Sequence, residues 1–359
     1  MSRKGKIKSL LPGGNTSKGF YSYFQYIIDL KKAKKVYFLK GGPGTGKSSM
    51  MKKIGAVMTE KGYDIEFYHC SADPDSIDAI VIPKLGVAMV DGTSPHVIDP
   101  KYPGAIDTII HLGDYWNEEG LRKNRDNIIR EIDANGKRYK RTYKYLAAAK
   151  IIHDDVEWIY SQAMDFLKVN QLTNQIIGRF LRNHPDLNKL PNERHLFGSA
   201  YTHKGHIDYV ETYISEVKNI YYIKGAPGTG KSTLLKKITK GATEKGYDIE
   251  VYHEPLEPEK IEHIIIPELN LAFTTNKKYE EKETFDLNQF IDPEKLNNYI
   301  EELKYSENLF KQLLQDVIDN LRKTKAKQEA MEEYYVPNIQ FKKIDALRED
   351  IIKQILSFK

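Results

Sequence analysis

Two patterns of apolar residues alternate along the chain, and the first of them predicts strands. Short β-branched and aromatic runs, such as "VYFLK" at 36–40 and "IYYIK" at 220–224, are typical of buried strands. The segments "YDIEFYH" at 63–69 and "YDIEVYH" at 247–253 alternate apolar and polar residues, as further strands do. A helix is predicted between the two strands of each pair. This order predicts an α/β fold with a parallel sheet covered on both faces.

The second pattern, with apolar residues three and four positions apart, predicts long amphipathic helices late in each half of the chain. One helix is expected to begin after Asp292, a favourable N-cap that precedes Pro293. In the first half a similar stripe runs from Ile128 to Tyr160, and we expect "DANGK" at 133–137 to break it into a helical hairpin. Each predicted α/β core therefore carries a long helical appendage.

The same arrangement is encoded twice. A shift of 184 residues places Val36–His69 on Ile220–His253, where 22 of the 34 aligned positions are identical. Near the end of each half, a shift of 175 residues places Phe166–Leu181 on Phe341–Leu356. Two long repeats, rather than three or more short ones, indicate a pseudo-symmetric pair of globular domains.

A domain boundary is predicted between the repeats. The segment 182–195 contains two prolines and several Asn and Asp residues, which discourage regular structure. We therefore divide the chain into a first domain at 1–185 and a second at 193–359. The chain length of 359 residues agrees with two domains, because single cores rarely grow beyond about 250–300 residues.

Two nearly identical decamers, "KGGPGTGKSS" at 40–49 and "KGAPGTGKST" at 224–233, join the first predicted strand of each half to its first predicted helix. Both contain G-x-x-x-x-G-K-S, the spacing of a concave loop whose backbone N–H groups point at a phosphate. The start of the helix adds partial positive charge towards the same anion. A glycine-rich turn with an accidental lysine could explain one such match, but hardly two in the same context.

The motif assigns a role to each residue type. The lysines, Lys47 and Lys231, are expected on the β- and γ-phosphates, and the hydroxyl groups of Ser48 and Ser232 on Mg²⁺. The predicted nucleotide-binding residues are Gly41, Gly42, Pro43, Gly44, Thr45, Gly46, Lys47, Ser48 and Ser49, with Gly225, Ala226, Pro227, Gly228, Thr229, Gly230, Lys231, Ser232 and Thr233 in the second half.

These loops resemble those of the P-loop NTPase superfamily. Together with "NTSKGF", "YHC" and "DGTSPHVIDPKYPGA", they resemble a bacterial family of tandem P-loop ATPase or nucleotide-kinase-like proteins. The resemblance implies two tandem P-loop NTPase-like domains that bind ATP and Mg²⁺. Guanine specificity is unsupported, because "NKKY" at 276–279 lacks the Asp of the usual N-K-x-D motif.

The two halves differ where a metal-binding carboxylate is expected. Asp91 follows the apolar run "VAMV" and should end a strand at the same edge of the sheet as the first loop. We interpret it as a Mg²⁺ partner rather than as half of an Asp-Gly turn. The shift of 184 places Thr275 at this position in the second half. Lys47 and Asp91 are therefore the catalytic candidates, while the second site is regulatory, structural or part of a composite site.

The sequence supports ATP hydrolysis less strongly than ATP binding. Asp91 is followed by Gly92 rather than by a Glu that would orient the attacking water. Residues that could surround a γ-phosphate or an acceptor are His69, Cys70, Asp73, His96 and Asp99. Arginines that could cover the phosphates from a lid are Arg122, Arg125, Arg138 and Arg141.

Three functions remain open on these residues. The first is a Mg²⁺-dependent ATPase, and the second is a kinase that transfers the γ-phosphate to a nucleoside, nucleotide or other small molecule. The third is a nucleotide-switched adaptor whose helices bind protein or nucleic acid, although the basic and aromatic stretch at 137–145 reads better as a solvated helix.

Composition bears on the partners of the protein and on the compartment in which we expect it. With 55 basic and 50 acidic residues, the net charge of +5 does not by itself indicate a nucleic-acid or membrane surface. Cys70 is the one cysteine, so an intramolecular disulfide or a multi-cysteine zinc site is excluded. No apolar run approaches the roughly 20 residues of a membrane helix. We expect a cytoplasmic protein without membrane insertion.

Overall fold

The computed structural model describes residues 3–93 and 98–358, in which each half forms a six-stranded sheet and a two-stranded hairpin. The strands of the first half are β1 Ile7–Leu10, β2 Gly13–Thr16, β3 Gly19–Ser22, β4 Lys35–Lys40, β5 Ile65–His69, β6 Ile77–Ile82, β7 Val87–Asp91 and β8 Asp107–His111. Those of the second half are β9 Glu193–Phe197, β10 Ser199–Thr202, β11 Gly205–Asp208, β12 Asn219–Lys224, β13 Ile249–His253, β14 Ile261–Ile266, β15 Leu271–Thr274 and β16 Thr284–Asp286. The α/β class is confirmed.

The helices complete the two halves. They are α1 Lys47–Glu60, α2 Glu118–Lys123, α3 Arg125–Gln162, α4 Phe166–Leu181, α5 Glu211–Ile214, α6 Lys231–Glu244, α7 Pro293–Asn297, α8 Ile300–Tyr335 and α9 Phe341–Ser357. We call α3 with α4 the first arm (residues 125–181) and α8 with α9 the second arm (residues 300–357). In the described part of the chain, none of the helices has both the length and the apolar composition needed to cross a bilayer.

Both large sheets are mixed, so the prediction of parallel sheets is wrong in one respect. The strand orders are β1-β5-β6-β7-β4-β8 and β9-β13-β14-β15-β12-β16. Within them, β6 and β14 run antiparallel to both neighbours, and the other pairs are parallel. The reason is connection length, since only residues 70–76 and 83–86 flank β6. A parallel crossover needs about 10–12 residues.

The arms contain two very long helices. Helix α3 is 38 residues long and runs unbroken through residues 133–137, so the predicted helical hairpin is wrong. A glycine inside a helix costs only about 1 kcal/mol, which tertiary packing can outweigh. Here Leu146 of α3 is buried in one cluster with Val317 and Leu321 of α8, so that the two long helices pack against each other.

The predicted start of the helix in the second half is correct, but the helix is interrupted. The side chain of Asp292 accepts hydrogen bonds from the N–H groups of Glu294 and Lys295 and caps α7. Helix α7 ends at Asn297, and α8 begins separately at Ile300.

The arms are exchanged between the halves. Val169 and Ile176 of α4, in the first arm, are buried in the core of the second half with Leu235. Ile344 of α9, in the second arm, is buried in the core of the first half with Met51. Each sheet is therefore covered on one face by helices from the other half of the sequence.

The halves also meet through a buried ion-pair network. Arg194 of β9 donates hydrogen bonds to Glu66 of β5, at 2.5 and 3.0 Å, and to Glu250 of β13, at 3.2 Å. The two glutamates occupy equivalent repeat positions. Burial alone would raise the pKa of Glu66, but the charge of Arg194 and its hydrogen bonds hold that pKa below the usual value. The arginine thus links both sheets through the carboxylates of Glu66 and Glu250.

Candidate functional site

The first loop (residues 41–48) and the second loop (residues 225–232) have a backbone that requires glycine. In the first loop Gly44 and Gly46 have φ values of 67° and 85°, and in the second Gly228 and Gly230 have values of 75° and 96°. These angles lie in the left-handed region, where a Cβ atom is unfavourable. Both loops connect a strand to a helix, as the motif predicts.

In the first loop, the predicted lysine and carboxylate come together. Lys47 Nζ donates hydrogen bonds to the carbonyl oxygens of Gly41, at 2.8 Å, and Gly42, at 3.0 Å, and lies 3.7 Å from Asp91 Oδ2. The Lys47 and Asp91 side chains are only 12% and 16% exposed. Asp91 ends β7, which pairs in parallel with β4, so its side chain reaches the edge of the sheet where the loop lies. Its Oδ1 also accepts a hydrogen bond from Thr93 N, at 2.9 Å.

The two serines are held by equivalent contacts. Ser48 Oγ accepts a hydrogen bond from the N–H of Ile77, the first residue of β6, at 2.9 Å. Ser232 Oγ accepts one from Ile261, the first residue of β14, also at 2.9 Å. A hydroxyl oxygen has two lone pairs, so each serine keeps one for a further ligand such as a cation.

The second loop has the same backbone contacts but a different electrostatic environment. Lys231 Nζ donates hydrogen bonds to the carbonyl oxygens of Gly225, at 2.7 Å, and Ala226, at 2.8 Å. Burial lowers the pKa of Lys231 to about 8, against the opposing charges of Glu254 and Glu157. Burial also raises the pKa of the Glu254 carboxyl to about 7. The acids that act on Lys231 therefore come from the end of β13 and from the first arm.

Both loops are covered by the arm of the other half, which the sequence did not predict. A Cβ atom on Gly42 would lie 2.6 Å from the Tyr335 ring of α8, and one on Gly44 would lie 3.1 Å from Val336. A Cβ atom on Gly228 would lie 2.2 Å from the backbone oxygen of Glu157 in α3. The chain thus passes closer to each loop than any side chain there would allow.

Ion pairs tie the arms to the connections that follow β5 and β13. Lys325 of α8 pairs with Asp73 at 2.7 Å, and Lys260 pairs with Glu157 of α3 at 2.5 Å. Burial alone would raise the pKa of Asp73, but its hydrogen bonds, first among them that from Lys325, lower it.

Carboxylate oxygens of Asp154, Glu157 and Glu257 lie within 4.8 Å of one another beside the second loop. Lys150 and Lys260 pair with these same groups, at 2.6 Å to Asp154 and 2.8 Å to Glu257. Two lysines thus offset most of the charge of the three carboxylates, and we do not interpret the cluster as a metal site.

The other sequence candidates lie in several places. His69 Nδ1 donates a hydrogen bond to Pro74 O, at 2.8 Å, and the ring stacks on Tyr209 of the other half at a ring separation of 4.4 Å. Asp99 pairs with Lys40 at 3.3 Å. Burial raises the pKa of the Cys70 thiol well above its usual value, which disfavours a nucleophilic thiolate. His96 lies outside the described residues.

The candidate lid arginines bond within their own helices rather than to the loops. Their partners are Glu118 for Arg122, Asp126 for Arg125, Asn135 for Arg138 and Tyr145 for Arg141. The structure therefore does not bring these four side chains to either loop.

Comparison of the chain with models of protein families, with curated proteins and with solved structures finds no significant match. The interpretation of the two loops accordingly rests on their residues and geometry.

Proposed function

We propose that the protein is an ATP-binding P-loop protein, with Mg²⁺-dependent ATP hydrolysis at the first loop and nucleotide binding at the second. The observation that supports it most is the approach of Lys47 Nζ to Asp91 Oδ2, 3.7 Å apart, beside a glycine-dependent loop at the start of α1. A lysine, a hydroxyl group and a strand-end carboxylate around such a loop are the groups that bind a nucleoside triphosphate with Mg²⁺.

Different residues of the first site bind the phosphates and the Mg²⁺ ion. The loop N–H groups and the N-terminus of α1 bind the phosphates, and Lys47 exchanges its loop carbonyl partners for β- and γ-phosphate oxygens. Ser48 and Asp91 would hold Mg²⁺, which when bound neutralises charge on the phosphates. The two side chains fit this role, since both offer oxygen atoms at the same edge of the sheet.

The second loop supports binding rather than turnover. It offers the same backbone and the same lysine, but Thr275 stands where the first half has Asp91 and cannot supply a negative charge. The position that corresponds to Asp91 therefore offers no carboxylate, and the carboxylate that ends the other neighbouring strand, Asp286 of β16, is paired with Lys224 at 3.2 Å.

A nucleotide-switched adaptor is the second candidate, and one observation favours it. The ends of α3 and α8 touch the two loops, so a nucleotide that displaces either end would move a long exposed helix. No described contact favours the small-molecule kinase in the same way, because Asp73, one of its candidate acceptor residues, is engaged by Lys325.

The proposal is tested by measuring ATP binding and hydrolysis on the purified chain, with Mg²⁺ and with EDTA. We expect two ATP per chain for the unaltered protein and one for Lys47→Ala or Lys231→Ala. Turnover should vanish in Lys47→Ala and fall about 10²-fold in Asp91→Asn, since several kcal/mol of charge stabilisation are lost.

Lys231→Ala is the matched control, because it removes the same contact from the second loop. It should keep most of the turnover. Equal loss of turnover from both lysine substitutions would contradict the assignment of hydrolysis to the first loop, and absence of ATP binding by the unaltered chain would refute the proposal as a whole.

A further inference from the structure

We propose that Lys325, on the arm of the second half, is a positioning residue of the first nucleotide site, and that Lys150 is its counterpart for the second. Each site would then be completed by a lysine from the opposite half. This inference rests on the proposed function, because it concerns how the serine that is assigned to Mg²⁺ is held in place.

The contact begins with a partly buried ion pair between the halves. Lys325 Nζ donates a hydrogen bond to Asp73 Oδ2 at 2.7 Å, and the two side chains are 21% and 8% exposed. Asp73 lies in the short connection between β5 and β6. The same carboxylate oxygen accepts a hydrogen bond from Ser76 Oγ at 2.8 Å, and the backbone oxygen of Asp73 accepts one from Ser76 N at 2.8 Å. Lys325 therefore contacts an aspartate side chain that is itself fixed in a hydrogen-bonded turn.

That turn leads directly to the serine of the first loop. The residue after Ser76 is Ile77, whose N–H donates to Ser48 Oγ at 2.9 Å. Three hydrogen bonds thus connect the Lys325 ammonium group to the Ser48 hydroxyl group. The orientation of this hydroxyl decides where its remaining lone pair points, so a partner that fixes the turn also fixes the cation ligand.

A looser version of this arrangement is present in the second half, where Lys150 donates its hydrogen bonds to Asp154 of its own helix and lies within ion-pair distance of Glu257. Lys150 Nζ lies 3.5 Å from Glu257 Oε2, and Ile261 N donates to Ser232 Oγ at 2.9 Å. By the repeat shifts of 175 and 184, Lys150 corresponds to Lys325 and Glu257 to Asp73. Two sites that differ in other charged residues thus share a lysine–carboxylate pair between the halves, at 2.7 Å in the first and 3.5 Å in the second.

Loss of the ion pair between Lys325 and Asp73 would be unfavourable enough to change the position of the turn. Removing Lys325 leaves the Asp73 carboxylate partly buried with Ser76 as its remaining side-chain partner. An ionised group in that situation either takes up a proton or moves towards water. Both outcomes disturb the turn that carries the Ile77 N–H.

The experiment is a Mg²⁺ titration of ATP turnover in the full-length chain at saturating ATP. Lys325→Met keeps the apolar stem of the side chain and removes the charge. We expect it to raise the Mg²⁺ concentration for half-maximal turnover about tenfold, as loss of a residue that orients a metal ligand does. ATP binding in EDTA should be unchanged, and Lys325→Arg should restore the Mg²⁺ dependence. Lys323→Ala, at an exposed position on the same helix, is the control.

Asp73→Asn removes the same contact from the other partner and should reproduce the shift, which keeps the test valid if Lys325→Met folds poorly. A Mg²⁺ titration that is unaltered in both Lys325→Met and Asp73→Asn would overturn the inference while the unaltered chain still binds ATP. If the unaltered chain binds no ATP, the proposed function itself fails instead.

Discussion

The charge of Lys231 changes in the pH range where the protein can be studied. Burial lowers the pKa of this lysine to about 8, so its ammonium group is present below pH 8 and is lost above it. Burial raises the pKa of Glu254 to about 7, so this neighbouring carboxyl becomes negative as the pH passes 7. Both changes make the second loop more negative with rising pH and should weaken the binding of a phosphate chain.

We therefore predict that ATP binding at the second loop weakens by about tenfold, or about 1.4 kcal/mol, between pH 7.5 and pH 9. The measurement is calorimetric titration in the Lys47→Ala background, where the first loop is disabled. Glu254→Gln removes the charge that favours the protonated Lys231, so it should move the decline to lower pH. Affinity that stays constant over this range would show that Lys231 keeps its proton.

At the scale of single residues, the positions of the loop residues could be predicted from the sequence, whereas the residues of the distant arms that contact the loops could not. Lys47 and Ser48 are predictable because their positions follow from the loop itself, and Asp91 because a strand end fixes its place on the sheet edge. Tyr335 and Lys325 are not predictable, since their contacts depend on the path of an arm that is more than about 250 residues away in sequence.

At the scale of elements, the contact between α3 and the second loop is tighter than the contact between the second arm and the first loop. A Cβ atom on Gly228 would meet the backbone oxygen of Glu157 at 2.2 Å, whereas one on Gly44 would meet the side chain of Val336 at 3.1 Å. Both glycines have left-handed φ values, so alanine is strained at both positions. A side chain can rotate away from a new methyl group, but a helix backbone has to shift as a whole.

We predict that Gly228→Ala destabilises the protein by at least about 1 kcal/mol more than Gly44→Ala, which itself should cost about 1–2 kcal/mol through backbone strain. Urea unfolding gives the two free energies. Hydrogen exchange of α3 near Glu157 should accelerate only in Gly228→Ala. Equal costs for the two substitutions would mean that the arm tolerates a shift at this loop.

The directions of the strands could not be predicted from the pattern of apolar residues. The apolar run "VAMV" correctly predicts β7, but an apolar run does not encode the direction of a strand relative to its neighbour β6. The direction was decided by the four residues between them, "PKLG" at 83–86, which are too few for a crossover. In α3, by contrast, the pattern of apolar residues correctly predicted a helix, whereas the break predicted around the glycine at 136 is absent. Burial against α8 keeps the helix continuous.

At the scale of the whole molecule, Arg194 joins the two sheets. Its guanidinium group contacts Glu66 and Glu250, one from each half, in a buried environment. Removal of the arginine leaves two carboxylates without their shared partner, which is strongly unfavourable away from water.

We predict that Arg194→Met lowers the free energy of unfolding by about 3–5 kcal/mol. The exposed pair of Lys189 and Asp248, with side chains 43% and 36% exposed, provides the control. Lys189→Met should change the free energy of unfolding far less, because water screens its pairs with Asp248 and Glu268. Chemical denaturation of both variants makes the comparison, and similar costs would show that the buried network contributes little to cohesion.

The exchanged arms have a consequence for the origin of the chain. If the stretch at 182–192 were cut, neither fragment would carry the helix that its own sheet needs, since α4 stays with one piece and α9 with the other. The fragments would remain entwined, much as two identical subunits do after trading a segment. The protein thus has the architecture of a segment-swapped two-fold dimer whose subunits are joined end to end, with different charged residues in its two halves.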